Sequence, residues 1–249
     1  MEKSKISEWQ IIEDFVGLLT ITNKPQNFLI EPEFVDLDQL REWITNSGIK
    51  GLIIAGAGRH FCGGADVQGI FKMAERSSKE MEKKLSRGKE LLEYIENLTI
   101  PTISAIQGCC FGGGLEIALA CHIRVAAENS VFAFPETMLK LIPGLGGNFR
   151  LMKKCGIAKA TSIILTGETM DAQTAFDINL IDYLVPKKET LEFSVQLMKK
   201  MIKDKPMEVI QSVMLLLNKS RYFPMENLME EETRLFSKLA LNFIQTMKF

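Results

Sequence analysis

The sequence predicts an α/β fold with mainly parallel strands. Short apolar runs rich in β-branched residues alternate with segments of helical periodicity, and glycine clusters separate several of these elements. The last quarter is helical throughout. A chain of 249 residues has room for one large domain or two small ones. We divide it into a core over residues 1–190 and a helical C-terminal region over residues 191–249.

The first third of the chain predicts a hairpin, a helix and a buried strand. Residues 8–22 are apolar and β-branched with Asp14 and Gly17 between two runs, which indicates two strands. Apolar side chains at three- and four-residue spacing predict an amphipathic helix over residues 32–47. Residues 51–56 form a short apolar strand, which we expect to be buried on both faces.

The middle of the chain contains a charged stretch and a glycine turn. A helix begins at residues 67–71, and the charged residues 73–87 predict a solvated or mobile surface segment. Helical spacing resumes over residues 85–95. An apolar strand over residues 102–107 then runs into three glycines and a buried helix with Glu116 in its first turn.

The remaining predicted elements follow in chain order. They are strands over residues 123–127 and 131–134, a helix through residues 151–155 opened by the glycine cluster at 143–147, helices over 158–166 and 172–178, a strand over 180–185, and helices over 191–249 broken near Pro206 and Pro224.

Composition excludes several classes of function. The net charge of −1 gives no global attraction to nucleic acid or to an anionic membrane. No apolar run approaches the roughly 20 residues that span a bilayer. The polar N-terminus does not resemble a signal peptide, so we expect a cytoplasmic protein. Five cysteines without a C-x-x-C pair, and two histidines, predict reduced thiols and no metal site.

Two glycine clusters that each follow a strand are candidates for an anion-stabilising site. They cover residues 62–65 and 111–114. If the clusters lie side by side, one backbone N–H from each can converge on an oxygen that becomes anionic, such as that of a thioester carbonyl. The alternative is that both clusters are simple tight turns, and glycine content alone favours this alternative.

Two carboxylates in apolar surroundings are candidates for acid–base chemistry. Glu116 lies within an apolar helix, and Glu136 follows two phenylalanines and a proline. Buried acids acquire raised pKa values or find a partner, so the pair can divide acid and base duties on one water. The alternative is a helix N-terminal carboxylate at Glu116 and a surface acid at Glu136. Asp66 is equally well interpreted as a helix N-cap, and His122 as a structural histidine.

Four pieces of the sequence resemble the crotonase superfamily, the enoyl-CoA hydratase/isomerase family. The match runs in the right order over roughly residues 10–236, and the combination is specific although each piece alone is weak. The pieces are Phe61-Cys-Gly-Gly-Ala-Asp66, Gln107-Gly-Cys-Cys-Phe-Gly-Gly-Gly-Leu-Glu116, Phe134-Pro-Glu136 and Ile142-Pro-Gly-Leu-Gly-Gly147.

The resemblance implies a spiral of repeated ββα units with a helical C-terminal part, assembled as a trimer or a dimer of trimers. It implies an acyl-CoA thioester substrate, with coenzyme A as part of the substrate and no metal or redox cofactor. Ala65 and Gly113 match the oxyanion-hole amides, and Glu116 and Glu136 match the two catalytic carboxylates. The implied substrate-binding positions are Pro25, Asn27, Leu29, Gly63, Gly64, Ala65, Asp66, Val67, Gly112 and Pro135.

Three features depart from the family pattern. The segment between residues 27 and 51 is several residues shorter, and His122 replaces an aspartate. The C-terminal segment is also shorter than usual. In the family that segment helps to cover the CoA site and the trimer contact, so a carrier-protein thioester is compatible with this chain.

These observations lead to three hypotheses. The first is a hydratase for 2-enoyl thioesters, in which Glu136 protonates the α-carbon and Glu116 orients and deprotonates the water. The second is an isomerase or decarboxylase that uses the same oxyanion hole. The third is a non-catalytic interaction protein, which the charged residues 73–87 and the short end suggest, but which the retention of both acids argues against.

Overall fold

The computed structural model describes residues 1–246, so the last three residues of the predicted helical region, 247–249, lie outside the described residues. The strands are β1 Glu2–Ser4, β2 Ser7–Ile12, β3 Val16–Ile21, β4 Gly51–Gly56, β5 Thr102–Ile106, β6 Cys109–Phe111, β7 Ile123–Ala127, β8 Val131–Ala133, β9 Met170–Asp171 and β10 Tyr183–Val185. The helices are α1 Leu37–Ser47, α2 Val67–Arg76, α3 Ser78–Glu96, α4 Gly113–Ala120, α5 Gly147–Thr166, α6 Ala172–Asp177, α7 Thr190–Ile202, α8 Met207–Lys219 and α9 Met229–Thr246.

The strands form one large and one small sheet. Seven strands lie in the order β1-β2-β3-β4-β5-β7-β10, antiparallel at the β1 and β2 end and parallel from β3 onward. The small sheet has the order β6-β8-β9, in which β6 and β8 are parallel. This architecture confirms the predicted α/β fold, the hairpin of β2 and β3, and the buried strand β4.

Both faces of the large sheet are covered by helices. The main apolar cluster fills one face and includes buried side chains of α1, α3 and α4. On the other face, Met198 and Ile202 of α7 and Met214 of α8 pack in one cluster with Ile53 and Ile103 of the central strands. The C-terminal helices therefore contribute directly to the burial of the sheet. The division at residue 190 stays a prediction, although α7 begins at Thr190.

Residues 73–87 were predicted to be a solvated or mobile surface segment, and the solvated alternative is confirmed. The stretch is helical: it contains the end of α2 and the first half of α3, and the N-cap of α3, Ser77, accepts a hydrogen bond from the Glu80 N–H at 3.3 Å. One side of α3 buries Leu91 and Ile95, which anchors the helix, while Glu82 and Lys83 in its first half are exposed. The sequence pattern indicated the surface exposure, but not the helical backbone beneath it.

Several local predictions are confirmed. Helix α5 runs through both helices predicted over residues 151–155 and 158–166, and its backbone is non-helical at Gly156, between them. The ring of His122 is structural, since its Nδ1 accepts from the Thr102 N–H at 3.0 Å and its Nε2 lies 3.1 Å from Asn218 Oδ1. Burial lowers the pKa of His122 to about 4, so the ring is neutral. Its Nε2–H therefore donates to Asn218.

The cysteines and the helices agree with the expectations from composition as far as the described residues extend. All five thiols are free, and Cys155 is the only one of them that is not buried. The sequence pattern did not predict the short strands β1, β6 and β9. Within residues 1–246, no helix combines the length and the apolar character needed to cross a membrane.

Candidate active site

The two glycine clusters lie side by side. They follow β4 and β5, which are parallel neighbours, so the carboxyl ends of both strands meet at the same edge of the sheet. Cys62 of the first cluster forms a parallel bridge with Cys110. The Cys62 N–H donates to the Cys109 carbonyl at 3.1 Å, and the Phe111 N–H donates to the Cys62 carbonyl at 3.0 Å. The clusters are therefore joined by backbone hydrogen bonds.

The contact between the clusters depends on a glycine at position 64. Gly64 has φ of 91°, and a Cβ there would lie 2.9 Å from the carbonyl oxygen of Phe111. The residues that follow, Ala65 and Gly113, each present a backbone N–H that donates to no other residue of the described chain. Gly113 is also the first residue of α4, where the positive end of the helix dipole adds to the attraction for a negative charge.

Residues 26–29 are joined by backbone hydrogen bonds to the loop that carries Ala65. The Leu29 N–H donates to the Gly64 carbonyl at 2.8 Å, and the Asp66 N–H donates to the Leu29 carbonyl at 2.9 Å. The Gly63 N–H donates to the Gln26 carbonyl at 2.8 Å. The structure therefore brings the predicted substrate-binding residues of both segments together around Ala65.

The side chain of Asn27 holds the two loops beside Ala65 together. Its side chain is buried, and its Nδ2 donates to the carbonyls of Ala57 at 2.9 Å and His60 at 2.7 Å. Asn27 thus ties its own loop to the loop that follows β4. Asp66 accepts from the Gln68 N–H at 3.2 Å, which agrees with its interpretation as a cap of α2. Two further predicted positions lie at the margin of this cluster of residues: Pro25 is exposed on the surface, and Val67 is the first residue of α2.

Glu116 is a buried carboxylate that backbone amides hold in place. Its side chain is 2% exposed, and its Oε1 accepts from the N–H groups of Leu145 and Gly147, each at 2.7 Å. Burial raises the pKa of Glu116, while the two amides and the cations of Arg150 and Lys89 oppose that rise. Hydrogen bonds from amides favour the ionised carboxylate, which suits a base.

Glu136 lacks the backbone hydrogen bonds that hold Glu116 in place. It lies in a 3-10 turn over Pro135–Leu139, and its buried Oε2 accepts no hydrogen bond from the described residues. Burial raises the pKa of Glu136 to about 7; its own backbone N–H lowers it, and the charge of Glu116 raises it. A carboxyl group with this pKa is half protonated at neutral pH and suits a proton donor.

The acids and the amides belong to one site. The position that a Gly112 Cβ would occupy lies 2.5 Å from Glu136 Oε1, and Gly112 immediately precedes Gly113, whose N–H donates to no other described residue. The corresponding position of Gly147 lies 2.9 Å from Glu116 Cγ and 2.8 Å from the ring of Phe134. The site therefore combines two backbone N–H donors with two carboxyl groups, of which Glu116 accepts from amides and Glu136 has a buried oxygen without a partner among the described residues.

The sequence interpretation missed the groups that hold Glu116. The cluster at residues 143–147 matches the family pattern, but the pattern does not show that the amides of Leu145 and Gly147 bind Glu116. The signal was present, because a glycine cluster that opens a helix leaves unpaired N–H groups that bind anions. Here the anion is a side chain of the same protein, 31 residues away in sequence from Gly147.

Comparisons with known proteins show which family this sequence resembles. A family model described as enoyl-CoA hydratase/isomerase matches residues 12–243. The chain is 34% identical over 229 residues to a probable enoyl-CoA hydratase of Bacillus subtilis (strain 168), with 91% of this chain and 88% of the relative covered.

Solved structures show the same fold. Pseudomonas aeruginosa DspI is 29% identical with a TM-score of 0.87, covering 96% of this chain and 90% of its own. An enoyl-CoA hydratase from Bacillus anthracis is 25% identical with a TM-score of 0.85, covering 98% and 96%. These likenesses confirm the spiral α/β architecture.

Proposed function

The chain belongs to the enoyl-CoA hydratase/isomerase family, and from this we propose that it adds water across the double bond of a 2-enoyl thioester. The observation that carries the proposal is a difference in hydrogen bonding: Glu116 Oε1 accepts from two backbone amides, whereas the buried Oε2 of Glu136 accepts no hydrogen bond from the described residues. Burial raises the pKa of both groups, but hydrogen bonds from amides favour the ionised form of Glu116, so we assign Glu116 as the base and Glu136 as the acid.

The proposed reaction uses these groups in turn. The thioester carbonyl accepts from the amides of Ala65 and Gly113, which stabilise the negative charge that develops on its oxygen. Glu116 takes a proton from water as the water oxygen attacks the β-carbon. The resulting enolate takes a proton from Glu136 at the α-carbon. Transfer of the proton from Glu116 to Glu136 restores the starting state.

Isosteric substitutions test the roles of the two acids. We expect Glu116→Gln and Glu136→Gln each to lower the rate of crotonyl-CoA hydration by about 10² to 10⁴, the usual contribution of a general acid or base. Glu128→Gln is the matched control, because Glu128 is exposed and follows β7, outside the site. Wild-type hydration by either site variant would refute the assigned role.

The choice of substrate separates hydration from the other reactions of the same oxyanion hole. Purified protein is assayed with 2-enoyl and 3-enoyl thioesters, each as the CoA and the carrier-protein derivative, and the products are identified. Turnover of 3-enoyl substrates alone would replace hydration with isomerisation. Absence of binding to every acyl thioester would favour a non-catalytic interaction protein.

The proposal includes assembly and location. We propose a homotrimer or a dimer of trimers in the cytoplasm, acting on acyl-CoA or acyl-carrier thioesters. Large apolar side chains that the single chain leaves exposed support an assembly of copies. They include Phe149, Ile157 and Leu165 on α5 and Phe236 and Leu241 on α9.

A further inference from the structure

We infer that Arg150 is a positioning residue for Glu116, acting through Leu145 and held in turn by Glu96. The inference rests on the proposed function, because it concerns the residue that the reaction uses as its base. It assigns a role in the site to an ion pair that touches neither the substrate nor the reacting atoms. The evidence is a continuous series of short contacts from α3 to the carboxylate.

The first contacts connect Arg150 to the loop that holds Glu116. Arg150 lies in the first turn of α5, and its Nη1 donates to the Leu145 carbonyl at 2.7 Å. The N–H of Leu145 donates to Glu116 Oε1 at 2.7 Å. Leu145 is therefore held at its carbonyl by a guanidinium group and at its N–H by the carboxylate, so a shift of Arg150 moves an amide that orients Glu116.

The next contacts fix Arg150 itself. Its Nε donates to Glu96 Oε2 at 2.8 Å, and both side chains are 12% exposed. Glu96 ends α3, and its carbonyl accepts from Arg221 Nη1 at 2.7 Å just beyond the end of α8. The planar guanidinium group carries donors on separate nitrogens in a fixed geometry, so Nη1 binds Leu145 while Nε binds Glu96; the ammonium of a lysine lacks this fixed spacing of donors.

The charges around Glu116 give the arrangement a measurable signature. The charges of Arg150 and Lys89 lower the pKa of Glu116, and the charge of Glu116 raises the pKa of Glu136. Arg150 favours the ionised form of Glu116 through its charge, and it also fixes an amide that favours the same form. Loss of Arg150 removes both effects, so the pKa of Glu116 rises. A residue that only stabilised the fold would leave this pKa unchanged.

The test uses Arg150→Gln and Arg150→Lys in the full chain. We expect Arg150→Gln to lower kcat for 2-enoyl-CoA hydration by about 10- to 100-fold, the cost of a misplacement on the order of 1 Å. KM stays close to wild type, and the acid limb of the pH profile moves to higher pH. Arg150→Lys keeps the charge but loses the fixed spacing of the two donors, so its kcat and acid limb lie between those of wild type and Arg150→Gln.

The matched control is Lys154→Gln. Lys154 lies on the same helix and forms an ion pair with Asp182 at 2.6 Å, away from the loop that holds Glu116. We expect this variant to melt at a lower temperature without any shift of the acid limb. If both Arg150 variants keep the wild-type kcat and limb, or if Lys154→Gln shifts the limb equally, the inference is wrong.

A second readout does not need turnover. The carboxyl carbon of Glu116 is titrated by ¹³C NMR in wild type and in the variants, and it is assigned by its disappearance in Glu116→Gln. We expect a higher pKa in Arg150→Gln than in wild type, and an unchanged pKa would overturn the inference. If the wild type hydrates no thioester, the proposed function fails, while the titration still decides the role of Arg150.

Discussion

Gly112→Ala is the substitution that most directly tests whether Glu136 must keep its position. Gly112 has φ of 48° and ψ of −121°, and an added Cβ would lie 2.5 Å from Glu136 Oε1. This separation is about 0.9 Å below the 3.4 Å at which ordinary contact begins. Either the carboxylate or the turn must therefore move by nearly 1 Å. A shift of this size costs about 100-fold in rate.

The same substitution has a separate cost in stability. Alanine in a backbone region that favours glycine costs about 1–3 kcal/mol, which lowers Tm by about 2–4 °C for each kcal/mol in a chain of this length. Gly156→Ala provides the control, because Gly156 has φ of 80° but no atom within 4 Å of an added Cβ. We expect both variants to lose similar stability in calorimetry.

Only Gly112→Ala should lose hydration activity, and stopped-time assays with crotonyl-CoA measure the difference. Wild-type kcat in Gly112→Ala would show that the position of the Glu136 carboxylate does not limit the reaction. A loss of kcat in Gly156→Ala as large as that in Gly112→Ala would show that backbone strain alone explains the effect.

Two further predictions concern pH and assembly. Because burial raises the pKa of Glu136 to about 7 and the proposed reaction uses its protonated form, kcat/KM for hydration should fall as pH rises through about 7; a profile flat from pH 6 to 9 would contradict this. Light scattering of the purified protein should give the mass of three or six copies of the 28.0 kDa chain, and a monomer at working concentrations would contradict the proposed assembly.

The sequence predicted the elements that carry strong local patterns. The strand, glycine turn and buried helix around Glu116 were readable because glycine clusters and apolar runs act over a few neighbouring residues. The placement of the two glycine clusters side by side follows from the parallel order of β4 and β5, and a pattern alone left simple turns as the plainer alternative. The resemblance to a family favours an anion-stabilising site instead, and the structure places the clusters side by side, as that interpretation requires.

Other features depend on contacts that a local pattern does not contain. The amides of Leu145 and Gly147 reach Glu116 across 29 and 31 residues of chain, so no sequence window includes both partners. The chain from Arg221 through Glu96 to Arg150 spans an even longer separation. The charge of residues 73–87 is a local signal and indicated their exposure. Their helical backbone depends on the burial of Leu91 and Ile95 farther along α3, which this signal does not contain.

The groups that hold charge in this site belong mainly to the main chain. The amides of Ala65 and Gly113 are presented by the glycine turns, and those of Leu145 and Gly147 bind Glu116. The site is therefore sensitive to substitutions that change the backbone path, even at a residue such as Gly64 that carries no reacting group. A side chain there would disturb the amides that hold charge without removing any charged side chain.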